Sequence, residues 1–153
     1  MTTPAARPSV SPGVSYRDPR AALAWLEKAF GFETTMVVEG PDGSIAHSEM
    51  RVGDGLIMVG SEWDAQHKSP ASMGGINTQS IHVQLDEGID AHCERARAAG
   101  AVITREPVDQ FYGDRSYTAV DPEGHIWSFG ETVKAMSHEE MTKAGGLAVR
   151  DRL

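Results

Sequence analysis

At 153 residues with 40% hydrophobic content, the chain has room for one proper core. Its formal net charge of -8 and isoelectric point near 5.1 repel a phosphate backbone or an anionic lipid surface, so nucleic acid and membrane are poor partners. The opening MTTPAARPSV has no apolar run of signal-peptide type, no stretch approaches the roughly 20 apolar residues of a membrane span, and the lone Cys93 has no internal disulfide partner; the expectation is a cytoplasmic protein with one buried thiol.

Residues 1–10 read as a flexible N-terminus, followed by a short strand from Val14 to Arg17. Asp18 is a good N-cap and Pro19 fits the first helical position; Ala22, Leu23, Leu26, Ala29 and Phe30 recur at three- and four-residue spacing until Gly31 stops the helix. Strands follow from Glu33 to Glu39, Ile45 to Val52 and Leu56 to Gly60, with tight connections marked by Asp42-Gly43 and Asp54-Gly55. Ser61 to Gln79, with Pro70 and Met73-Gly74-Gly75, has no period and reads as a link draped over a site. The pattern then starts again. A strand from Ser80 to Leu85 leads to a helix striped by Ile89, Cys93 and Ala96 and ended at Gly100. Strands from Val102 to Arg105, Ser116 to Val120 and Ile126 to Glu131 complete it, the last two joined by the turn Asp121-Pro122-Glu123-Gly124. Beyond Thr132, Ser137-His138-Glu139-Glu140 matches a capping box and predicts a short helix to Ala144, packed on its own domain or on a partner subunit.

Strand, helix and three strands, twice over, predict an α+β fold: two βαβββ modules forming a curved mixed sheet around a concave cavity. The modules occupy about 11–62 and 78–132 of a single domain spanning 11–132, and 133–153 form a helical tail. Alternation along the strands assigns the faces. Val14, Tyr16, Ile57, Val59, Ile81, Val83, Leu85, Trp127 and Phe129 form the helix-facing set. Ser11, Gly13, Ser15, Leu56, Met58, Gly60, Ser80, His82, Gln84, Ile126, Ser128 and Gly130 fall on the concave face, where small and hydroxyl side chains leave room for a ligand.

The helix ending LEKAFGF, the helix RARAAGA and the turn and strand DPEGHIWSF resemble the vicinal oxygen chelate superfamily of glyoxalases, bleomycin-resistance proteins and ring-cleaving dioxygenases, over roughly Val10 to Thr132. The nearest branch is similar to the PhnB-like or uncharacterised glyoxalase-like proteins. The resemblance implies a two-fold homodimer. It also implies where metal ligands, usually His and Glu, would stand: at the start of the first strand, in the fourth, at the start of the fifth, and in the last strand seven residues after the turn's Asp. Those places hold Ser11, Met58, Ser80 and Ser128. None is a carboxylate or imidazole, so the usual metal site is expected to be absent, and with it any cofactor.

Other residues are candidates for chemistry. His82 shares the face of Ser80 and can bind a ligand, move a proton or serve as a displaced metal ligand. His47 and Glu49, with Arg51 beyond, share one strand face and suit either metal binding or acid/base work. Arg115 and Tyr117 stand where similar proteins place polar substrate contacts, and the Arg115 guanidinium can grip a carboxylate or phosphate or else pair with Asp114 or Glu123. Trp63 and His67 can stack on a ligand from the link, while His92 and His125 read as exposed and structural. No phosphate loop, nucleophile elbow or paired-cysteine motif occurs. The leading expectation is a small-molecule binding protein that contacts its ligand through Ser11, Ser15, Met58, Ser80, His82, Ser128, Arg115 and Tyr117. The alternatives are a metal-dependent lyase, isomerase or dioxygenase with displaced ligands, and a metal-free enzyme in which His82 or Glu49 moves a proton.

Overall fold

The computed structural model describes residues 6–153; part of the expected flexible N-terminus, residues 1–5, lies outside the described residues. The first module runs β1 (Gly13–Tyr16), α1 (Pro19–Phe30), β2 (Glu33–Glu39), β3 (Ile45–Val52) and β4 (Gly55–Ser61). The second runs β5 (Ser80–Leu85), α2 (Ile89–Ala98), β6 (Val102–Asp109), β7 (Asp114–Val120) and β8 (Ile126–Thr132), and α3 (His138–Gly145) ends the chain. Each module builds a four-stranded mixed sheet, in the orders β1-β4-β3-β2 and β5-β8-β7-β6. The first strand of each joins the last in parallel and the other pairings are antiparallel. This is the α+β architecture of two βαβββ modules that the chain's repetition predicts.

Local chemistry accounts for the boundaries. The Asp18 carboxylate accepts from the Ala21 amide, and Gly31 closes α1 in the left-handed region at φ 72°. The capping box of α3 is formed in both directions between Ser137 and Glu140. Several boundaries differ from expectation by one or more residues, two of them with a clear local cause. The β3–β4 loop is Gly53-Asp54, because Val52 pairs with Gly55 and the positive φ falls on Gly53 at 58°. Positive φ at the first of the two turn residues alone is the type II′ pattern, which calls for Gly at that position. Strand β6 continues past Arg105 through Pro107, which an edge strand with register shifts tolerates.

One core runs through both halves. α1 packs on the first sheet, α2 on the second, and the helices pack on each other. Phe30 crosses the boundary to meet Trp127 and Phe129 at ring-centroid distances of 5.6 and 4.8 Å. Trp25 Nε1 donates to the Ala99 carbonyl at 2.8 Å. Cys93 lies wholly within this core, where burial pushes its thiol up to about 11. The tail packs on its own chain: the Val133 and Lys134 amides both donate to the Gly113 carbonyl, and Gly145 lies against the Phe111 ring. Among the described residues no helix is long and apolar enough to cross a membrane.

Candidate functional site

Cavities border the two sheets, some of them lined from both halves. One, of about 270 Å³, lies among Gly13 to Ser15 of β1, Ile81 of β5, and His125, Ile126 and Trp127 at the start of β8. Its far wall is the link, through His67, Lys68, Met73, Ile76, Asn77 and Gln79. A second, of about 210 Å³, runs from Val10, Pro12 and Leu56 to His82 and Gln84. A third, of about 400 Å³, sits on the first sheet between Arg7, Thr35, Met36, Glu49, Asp54 and Leu56.

On the second sheet, pairing places His82 beside Ser128 and Gln84 beside Gly130. His82 Nδ1 lies 2.7 Å from Ser128 Oγ, and its Nε2 lies 3.0 Å from Gln84 Oε1. The far end of this chain sets the direction of the rest. Asp114 Oδ2 can only accept, so Gln84 donates to it through Nε2, as it does to Thr132 Oγ1, each at 3.1 Å. Gln84 Oε1 therefore accepts from His82 Nε2, which leaves Nδ1 facing the Ser128 hydroxyl. The imidazole is fixed between an amide and a hydroxyl, with Nδ1 on a serine, an arrangement able to pass a proton. A Cβ on Gly130 would stand 3.0 Å from both His82 Cε1 and Gln84 Oε1, so the glycine leaves the space these side chains occupy.

On the first sheet, Gly13, Met58, Glu49 and Met36 form one cross-strand row. Glu49 is 5% exposed. Arg7, from the segment ahead of β1, grips it with both prongs: Nη2 donates to Oε1 at 2.6 Å and Nη1 to Oε2 at 3.1 Å. His47 Nε2 lies 3.1 Å from Oε1. The Arg7 guanidinium foremost, and then His47, hold the Glu49 carboxyl below the usual carboxylate range against the opposing effect of burial. Arg51 bonds Glu33 instead.

Several residues stand elsewhere than the sequence implied. Tyr117 is fully buried on the helix side, paired with Phe129, with its hydroxyl 2.6 Å from His92 Nδ1. Arg115 shares that side, and its guanidinium is taken by Asp90 at 2.9 Å and Asp109 at 3.1 Å rather than by Asp114 or Glu123. Neither reaches the cleft, which corrects their assignment as ligand contacts. His92 and His125 are not exposed. His92 donates from Nε2 to the Phe30 carbonyl, and burial lowers its pKa. His125 is 9% exposed, donates to the Ser15 carbonyl at 2.7 Å, and lines the first cavity. Trp63 is 68% exposed and stacks on His67 at 4.2 Å, which places His67 rather than Trp63 against the cavity.

Of the small residues expected on the concave face, Ser15 lines the first cavity, Ser80 is exposed on its strand, and Met58 and Ser128 are half-buried. Ser11 precedes β1, whose Gly13 is the residue beside Met58. The donor set Ser11, Met58, Ser80 and Ser128 supplies hydroxyls and a thioether, which do not fit a divalent ion of the superfamily's enzymes. His47, Glu49 and His82 are divided between two sheets and bonded within each. Among the described residues no group of three or more His, Cys, Asp or Glu side chains is placed to hold a metal ion.

Residues 10–129 match the family model of the Glyoxalase/Bleomycin resistance protein/Dioxygenase superfamily, and the chain belongs to that superfamily. The uncharacterized protein Mb0911c of Mycobacterium bovis is 31% identical over 141 residues, covering 90% of this chain and 91% of its own. TioX from Micromonospora sp. ML1 superposes with a TM-score of 0.66 at 32% identity, over 82% of this chain and 99% of that one. FosX from Listeria monocytogenes, a fosfomycin resistance protein solved with Mn(II) and sulfate, shares the fold at a TM-score of 0.57 and 19% identity, over 88% and 94%.

Proposed function

We propose that this protein binds a small organic molecule in the cleft between its two sheets, without the metal site of the superfamily's enzymes. The observation that carries this reading is the composition of the four ligand places, Ser11, Met58, Ser80 and Ser128. Polar side chains from both modules and the link, including Ser15, His67, Asn77, Gln79 and His125, support it by surrounding one cavity. We place the protein in the cytoplasm, nearest the PhnB-like or uncharacterised glyoxalase-like branch, and as a two-fold homodimer. For pairing, the support is edge strand β2, whose Met36, Val37 and Val38 are each more than 40% exposed.

Elemental analysis of protein purified without chelator tests the reading: no stoichiometric divalent metal is expected. Stoichiometric nickel, zinc, iron or manganese would overturn it and favour displaced ligands, and His47→Ala, Glu49→Ala and His82→Ala would then show which side chains hold the ion. Light scattering on the same sample should give about twice the 16.5 kDa of one chain.

The fixed position of His82 between Ser128 and Gln84 favours a second reading, in which the bound molecule exchanges a proton with this imidazole. Turnover of a bound ligand that disappears in His82→Ala while binding of that ligand is retained would establish it.

A further inference from the structure

The Glu49 carboxylate is buried on the cleft side of the first sheet, and its guanidinium partner comes from outside the sheet. Taking a carboxylate out of water is unfavourable unless a cation and good hydrogen bonds compensate it. His47, the neighbour on β3, approaches one oxygen only. The two-pronged partner is Arg7, whose side chain is 58% exposed and which lies in a segment without helix or strand. The guanidinium therefore occupies a built site by way of a tether. Beside it is the cavity of about 400 Å³, whose lining includes Met36, Leu56 and a second carboxylate, Asp54. Arg51, the other cation lining the cavity, is bonded to Glu33. The space next to Glu49 thus has both apolar and acidic side chains in its lining, in a protein whose net charge of -8 gathers cations.

We propose that this cavity takes a cationic organic molecule, a guanidinium or amidinium with an apolar body, which seats on Glu49 in place of the Arg7 guanidinium. The planar cation makes the same paired hydrogen bonds that Arg7 makes now, and its body lies along Met36 and Leu56. Arg7 acts as an internal competitor. While it is seated, the fraction of molecules able to bind is small, and the apparent affinity falls by that fraction. The inference goes beyond the small-molecule binding reading, because this cavity is lined by the first module and the segment ahead of it and shares no lining residue with the cavity lined from both modules.

Benzamidine is the probe, with benzoate and benzyl alcohol as anionic and neutral molecules of similar size, titrated calorimetrically into the full chain and into Arg7→Ala and Glu49→Gln. Arg7→Ala is expected to bind benzamidine at least about tenfold more tightly than the unaltered protein. Glu49→Gln should lose that binding, and benzoate should not bind any of the three. Equal affinity in Arg7→Ala and the unaltered protein, or undiminished binding by Glu49→Gln, would overturn the proposal. Binding of benzyl alcohol or benzoate without benzamidine would overturn the ligand class and leave small-molecule binding standing; binding of none of the three overturns the class. Should Glu49→Gln not fold, as thermal melts would show, the Arg7→Ala comparison decides alone, since Arg7 lies outside the core.

Discussion

Asp121 shows how one side chain joins this molecule. Its Oδ2 accepts from Tyr16 Oη at 2.6 Å and from Trp127 Nε1 at 3.1 Å, and its Oδ1 accepts from the Glu123 and His125 amides, each at 3.0 Å. A buried carboxylate is tolerated there because every donor around it points inward. Asp121→Ala would leave buried donors on Tyr16 and Trp127 without partners, and a loss of about 3 kcal/mol or more is expected in denaturant unfolding. His92 carries a different signature. Burial lowers its pKa in the folded protein, so below the ordinary value near 6.5 the unfolded chain takes up a proton that the native state refuses. Its contribution to stability is complete above that pH and declines as the pH falls through it. Between pH 7.5 and 5.5 the protein should lose more unfolding free energy than His92→Gln does; equal losses would show that other groups carry the pH dependence.

At the scale of elements, the helices and strands were legible because their signals are local. The stripe from Ala22 to Phe30, the stop at Gly31 and the alternation around Val59 and Val83 each depend on neighbours within a few residues. What was illegible depends on distant partners. Nothing near His92 in the sequence announces the Tyr117 hydroxyl or the Phe30 carbonyl, and nothing near Glu49 announces Arg7. Tyr117 and Arg115 were misplaced for a related reason: alternation says they share a face but not which face, and the strand holds buried Ser116 beside buried Tyr117. The tail belongs to this class as well. Its position against the β6–β7 turn depends on Gly113, where a Cβ would come within 2.0 Å of the Lys134 carbonyl oxygen at φ 95°. Gly113→Ala should therefore lower stability by about 1–3 kcal/mol and release the tail to proteolysis. Gly43→Ala, also at positive φ but facing open space, should cost about 1 kcal/mol and leave the tail protected.

At the scale of the whole molecule, each sheet commits one face to the shared core and turns the other to the cleft, and this division can be tested directly. Val59 and Val83 are buried in the shared core, whereas Ser80 and Ser128 lie on the opposite side of neighbouring strands. The pleat allows no intermediate arrangement, because a one-residue slip would exchange the two sets entirely. Val59→Ala or Val83→Ala should cost about 1 to 3 kcal/mol by opening a hole between sheet and helix, with any ligand-induced rise in melting temperature retained after allowance for the lower baseline. Ser80→Trp or Ser128→Trp should do the reverse: the indole fills the cleft, the melting temperature stays close to its original value, and ligands found by a thermal-shift screen no longer raise it. Ser128→Trp also removes the hydroxyl bonded to His82, so any proton-transfer activity should go with it, while Ser80→Trp touches no part of the His82 chain. If the Trp variants unfold and the Ala variants only lose ligand, the faces are reversed, and the cleft residues named here would belong to the core.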